Sequence, residues 1–236
     1  MKKAILAMFV IGMFVFIAGF ALAAVNGAST VIEEGSSTGQ ATTPENHSAI
    51  AGNVTEITID GSSVTQTWQG YYGNVSGAIT LENSAGNVMY NWSLASPEGE
   101  IYASTNNAVT WAGISCFNFT AEGTAQETAF GIGSNDADGI DETFSNTVHQ
   151  AFATGSEAFV SGDCMSTEVF AGGSGAESTF DEVLLWDGSA IVFTALLEED
   201  VNGFDNNPHD FQMLVAENGH SGDTDTTPYF FYVELA

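Results

Sequence analysis

Apolar residues recur at every second position over most of the chain after Asn53. The runs NVTEITIDG, SVTQTWQG, GAITLEN, NVMYNWSL and EIYAST are short, and each is bounded by Gly, Asn, Ser or Pro. This period with such punctuation predicts half-buried strands. NSAGN between Leu81 and Val88 and SPEGE before Ile101 have the composition of tight turns. Residues 53–110 therefore read as an antiparallel β-meander.

The remainder, 111–236, continues the pattern less evenly. WAGISCFNFT reads as a buried strand carrying Cys116, and EAFVSGDC leads to Cys164. AEGTAQETAFGI and ETFSNTVHQAFATG are mixed, and the latter has room for a short helix. FDEVLLWDG, AIVFTALLEED, DFQMLVAEN and PYFFYVEL are strand candidates, and Asp187-Gly188-Ser189 is a hairpin signal. The last strand is apolar on both faces, as expected of a central strand or one covered by a partner. The expected fold is all-β: an antiparallel β-sandwich-like domain, or two β subdomains joined near residue 110.

The N-terminus follows different rules. Lys2 and Lys3 precede an apolar run from Ala4 to Val25, and Ala21-Leu22-Ala23 fits a signal-peptidase site. Residues 1–23 read as a signal peptide. An uncleaved hydrophobic anchor helix and a prepilin-type signal retained as a filament stalk are the alternatives. Membrane contact is expected only through this segment, if it stays uncleaved. Residues 24–52, rich in Ser, Thr, Gly and Ala, read as a flexible lead-in.

Charge changes the picture. Lys2 and Lys3 are the only basic residues besides histidine, against 30 Asp and Glu, and the formal net charge is −28. Beyond the leader no fixed cation exists to make salt bridges or to neutralise phosphates, which excludes nucleic acid as a partner. The negative field must be offset by metal cations, salt or acid. The same composition also suits an exterior patrolled by proteases that need Lys or Arg. Cys116 and Cys164 are the only cysteines. In an exported chain such a pair predicts a disulfide.

DADGID (136–141) and DVNGFD (200–205) share one arrangement, Asp-x-Asp/Asn-Gly-apolar-Asp. Asp136, Asp138 and Asp141, and Asp200, Asn202 and Asp205, place oxygens at positions that a glycine turn can bring together for calcium. Asn135, Glu142, Asn206, Asn207 and Asp210 lie close by, and GDTDTT (222–227) is a weaker third candidate. A metal-free Asp/Asn/Gly turn is the plain alternative. N-x-S/T acceptors occur at Asn46, Asn53, Asn74, Asn91 and Asn118. His47, His149, His209 and His220 lack metal-ligand spacing. His209 could line the second acidic loop, although a satisfied turn histidine is the plainer reading. No hydrolase, zinc-protease or phosphate-loop motif is present.

Trp68-Gln69-Gly70-Tyr71-Tyr72-Gly73 reads first as a core plug at a glycine corner. Tyr71 and Tyr72 are the candidate sugar or subunit contacts. Together with DGIDETF, FDEVLLWD, DFQMLV and YFFYVEL, this stretch resembles a functionally uncharacterised family of exported, mainly archaeal proteins. The resemblance spans roughly 53–236. It implies an archaeal-type cell exterior and an all-β fold, and carries over no catalytic or ligand residue. The expected function is an extracellular, non-enzymatic structural or cell-surface protein. It would be a self-assembling filament or surface-layer subunit stabilised by calcium, with copies of itself or cell-surface components as partners. A secreted carbohydrate-binding module or adhesin is the alternative, and a glycan-active hydrolase comes third.

Overall fold

The computed structural model describes residues 24–40, 42–93, 99–172, 176–219 and 226–235. The expected N-terminal hydrophobic helix, most of SPEGE and of GDTDTT, and His220 lie outside them. The fold is all-β, with antiparallel strands and little helix.

The strands are β1 (Asn26–Gly27), β2 (Trp68–Gly73), β3 (Ala78–Glu82), β4 (Val88–Ser93), β5 (Gly99–Ser104), β6 (Ser115–Cys116), β7 (Phe152–Thr154) and β8 (Glu157–Phe159). They continue with β9 (Ser166–Ala171), β10 (Ala176–Trp186), β11 (Ile191–Leu196), β12 (Val201–Asn202), β13 (Pro208–His209), β14 (Phe211–Ala216) and β15 (Phe230–Leu235). A π-helical stretch, Phe119–Gly123, runs into α1 (Thr124–Ala129), and α2 is Ile140–Thr143.

A seven-stranded sheet in the order β1-β15-β5-β11-β10-β6, with β9 also on β10, forms the centre. Period two sets its two faces. Ile101, Ala103, Leu184, Ile191, Phe193 and Ala195 point into one cluster, which β14 covers through Met213 and Val215. The π-helical and α segments close the same cluster with Phe119, Phe130, Ile140 and Phe144. Tyr102, Val183, Leu185, Val192 and Leu196 point the other way, onto Val109, Ile114, Phe152 and Phe159.

The hairpin at Asp187-Gly188-Ser189 joins β10 to β11 as its composition predicts. Asp187 accepts the N–H groups of Ser189 and Ala190, and Gly188 takes a φ of 95°. NSAGN closes β3 on β4 in the same way: Asn83 caps the N–H groups of Ala85 and Asn87.

The expected meander over 53–110 does not form. Residues 53–65 form no regular element and pair with no strand among the described residues, and Val54, Ile57 and Ile59 are exposed. Among the described residues β2 pairs with β14, β3 and β4 pair only with each other, and β5 lies between β15 and β11. Pairing over long sequence separation wins because the apolar faces of β5 and β2 match strands of the C-terminal third. The two halves thus share one sheet and do not divide near residue 110. The strand expected around Cys116 shrinks to Ser115–Cys116. β15 is inside the sheet, yet its β1 neighbour spans only Asn26–Gly27.

Candidate functional site

The first acidic loop is partly convergent. Glu127 on α1 and Asp141 and Glu142 on α2 bring carboxylate oxygens within 4.8 Å of one another. Gly139 makes this possible: a Cβ there would lie 2.4 Å from Glu142 Oε2 and 3.1 Å from Glu127 Oε1. Burial holds Glu127 above its usual carboxylate range, opposed by the Ile140 N–H and reinforced by the negative neighbours. Glu142 is raised by the hydrogen bond it shares with Asp141.

Of the expected ligands in this loop, only Asp141 belongs to that group. Asp136 turns back to accept the Gly133 N–H at 2.6 Å. Asp138 accepts the Thr65 hydroxyl, and its carbonyl takes the Trp68 indole N–H at 2.6 Å. Glu127 was not legible as a member, because α1 approaches α2 only through tertiary packing.

The second loop is held by local bonds, and among its expected ligands Asp205 carries the side-chain ones. Asn202 sits in the short β12–β13 ladder opposite Pro208. The Asp200 N–H donates to Asp210, with Asp200 at a φ of 50°. Asp205 accepts both N–H groups of Asn207, main chain and side chain, and lies 2.9 Å from His209 Nε2. The Asn207 bonds, with help from His209, hold its carboxyl down at about 2. His209 thus lines this loop, as its position beside Asp210 allowed. His149 is satisfied on both nitrogens, by the Cys164 N–H and the Gln150 carbonyl. It borders an open groove of about 600 Å³ with Glu168, Asp181 and Glu198.

Burial of glutamates was not foreseen. Glu100 and Glu234 face each other across β5 and β15 and are 7% and 4% exposed. The Tyr102 hydroxyl lies 3.0 Å from Glu234 Oε2 and 3.4 Å from Glu100 Oε2, with Thr154 Oγ1 at 3.3 Å. The Gly155 N–H also donates to Glu234. Burial, then the neighbouring Glu234, pushes Glu100 up to about 8. Glu182 on β10 is fully buried. Its Oε2 accepts the Leu214 N–H at 2.7 Å from β14, tying the two layers, and burial pushes it well above the usual range. These strands read as plain apolar alternation with an acid at one position, and nothing local marks that acid as buried.

Trp68 packs half-buried on Phe144 and Phe193, as a core plug should. Tyr71 turns inward, edge-on to Phe231 at 5.2 Å. Tyr72 turns outward between Phe204 and His209 and is 51% exposed. The β3–β4 hairpin is exposed throughout. Its register sets Ile79 opposite Trp92 and Leu81 opposite Tyr90, giving one apolar face, with the Tyr90 and Trp92 rings 4.9 Å apart.

Asn46, Asn53, Asn74, Asn91 and Asn118 are all exposed. Cys116 and Cys164 form a disulfide across a separation of 48 residues, compatible with an oxidising, extracellular environment. Among the described residues no helix is long and apolar enough to cross a membrane. No protein-family model, curated protein or solved structure matches the chain.

Proposed function

We infer that this chain is an extracellular, non-enzymatic structural protein of the cell surface whose copies associate into a filament or layer. The observation that carries this reading is the segment between β1 and β2. Residues 29–40 and 42–65 are exposed, turn once at Ala51–Gly52, and pair with no strand among the described residues. Val31, Ile32, Ile50, Val54, Ile57 and Ile59 stand open to solvent along it. Apolar surface of this extent gains by burial against another molecule. The apolar face of the β3–β4 hairpin has the same need, since a lone hairpin is marginal in water.

Calcium belongs to this reading as a counter-charge. Copies that carry no lysine or arginine beyond Lys2 and Lys3 repel one another, and the Glu127, Asp141 and Glu142 carboxylates offer a cation hard oxygen ligands. Sugars on the exposed sequons would add a hydrated coat. The test is electron microscopy of purified protein and of cells, with calcium and then with chelator. Absence of assemblies in every case removes the reading.

The Tyr90–Trp92 pair favours a second reading, a carbohydrate-binding module or adhesin. Both rings are about half exposed and lie on one hairpin face, where aromatic platforms can stack on sugar rings. Glycan-array binding lost in Trp92→Ala would support it, and binding unchanged by that substitution would count against it.

A further inference from the structure

The face of the central sheet that carries Ile101 and Phe193 needs a covering layer, and among the described residues β14 and β2 are the paired strands in it. Tyr71 brings β2 over β15, where it meets Phe231. On its far side β2 has no neighbour among the described residues.

Register shows which main-chain groups face that open side. Leu214 donates its N–H away from β2, to Glu182. Leu214 and its opposite number Gly70 are therefore a pair that exchanges no hydrogen bonds, and so are Gln212 and Tyr72. Thr67 shows the complementary phase, accepting the Glu217 N–H from the β14 side. The N–H and C=O groups of Gly70 and Tyr72 thus point off the edge, and both residues are exposed. Such an edge is a template for one more strand. Gly70 has no side chain to hold an incoming backbone away.

The chain itself carries a matching strand. In NVTEITID (53–60), Ile57 and Ile59 would share one face of a strand, with Val54, Glu56, Thr58 and Asp60 on the other. Val54, Ile57 and Ile59 are 102%, 56% and 81% exposed. Within one copy this stretch pairs with no described strand; just after it Val64 lies beside Gly39 and Thr65 bonds to Asp138.

We propose that residues 53–60 of one copy add as a strand to the open edge of β2 in a second copy. Ile57 and Ile59 then turn inward over Phe231, Val233 and Leu235, which are only partly buried in the single chain. The acidic and threonine positions stay in water. Main-chain hydrogen bonds supply affinity and the isoleucines fix the register, the usual logic of strand addition. Each copy has one such segment and one such edge, so the contact is head-to-tail and propagates. The inference rests on the self-association reading above and names its interface.

The test uses the full chain without its leader. Ile57→Asp/Ile59→Asp alters only exposed side chains. Gly70→Pro removes an edge N–H that faces solvent, where proline is tolerated. Sedimentation velocity across a concentration series should show wild-type oligomers. Each variant should raise the half-assembly concentration at least about tenfold, a 1.4 kcal/mol change, with an unchanged melting temperature. A synthetic peptide of residues 53–61 should bind the wild type and the isoleucine variant, and fail to bind Gly70→Pro. Variants that assemble at wild-type concentration overturn this interface and leave self-association standing. A wild type that stays monomeric at every concentration removes both. A monomer with residues 53–60 protected from hydrogen exchange shows the segment closing on its own edge, which also overturns the proposal.

Discussion

Glu100→Gln should flatten the pH dependence of stability. In the folded chain Glu100 titrates near 8 because it is buried opposite Glu234. Unfolded, it titrates near its ordinary value of 4.5. The folded state therefore holds more protons through this window. Its stabilising contribution is complete below pH 4.5 and is lost as pH rises through 8. Between pH 4.5 and 7 the loss from this one group is about 3 kcal/mol. For a chain of this size that equals roughly 6–12 °C in melting temperature. Glu234, Glu182, Asp181 and Glu198 are also raised and add with the same sign. The wild type should thus melt well higher at pH 4.5 than at 7. Glutamine keeps an oxygen facing Tyr102 and Ala153 but cannot ionise, so the Glu100→Gln difference isolates this residue. Thermal unfolding under non-reducing conditions at both pH values is the assay. The reasoning fails if the variant's pH 4.5-to-7 difference equals the wild type's, or if the wild type is more stable at pH 7.

Glu182→Ala should cost about 2–4 kcal/mol in denaturant unfolding, since it leaves a cavity and an unpaired Leu214 N–H between the layers; Glu182→Gln, which keeps the acceptor, should cost far less. Gly99→Ala should destabilise by more than about 2 kcal/mol, because Gly99 has a φ of 121° and a Cβ would meet the Glu234 carbonyl oxygen at 2.1 Å. The paired change Cys116→Ser/Cys164→Ser should lose about 4 kcal/mol by the chain-entropy model, read from the urea midpoint. Calcium at a hundred times its dissociation constant should stabilise by about 2.7 kcal/mol. Glu127→Gln should abolish most of that shift, and a calcium-independent wild-type melting temperature would remove the metal reading.

The C-terminal third was legible because its strands are long and their periodicity, turns and hairpin composition agree. Asp187-Gly188-Ser189 and NSAGN each fixed a local register that the structure keeps. NVTEITIDG alternates over Ile57 and Ile59, with Val54 out of phase, and pairs with no strand among the described residues. Period two reports a preference for a half-buried surface and not the presence of a partner. Which strands meet is decided across distance, as when Tyr71 comes to lie opposite Met213. The candidate site divided similarly. Asp141 could be read from DADGID, with Glu142 beside it, whereas Glu127 reaches them only by packing. In the second loop Asn207 and His209 both engage Asp205, an arrangement of near neighbours in sequence.

One tether joins features that otherwise look unrelated. Thr65 and Trp68, at the root of the exposed N-terminal stretch, both hold Asp138, three residues before Asp141. The direction in which that stretch leaves the body is therefore set by the posture of the acidic loop. A shift of the loop would therefore re-aim the stretch at its root, so the angle at which the stretch departs is a property of the loop as much as of the stretch itself.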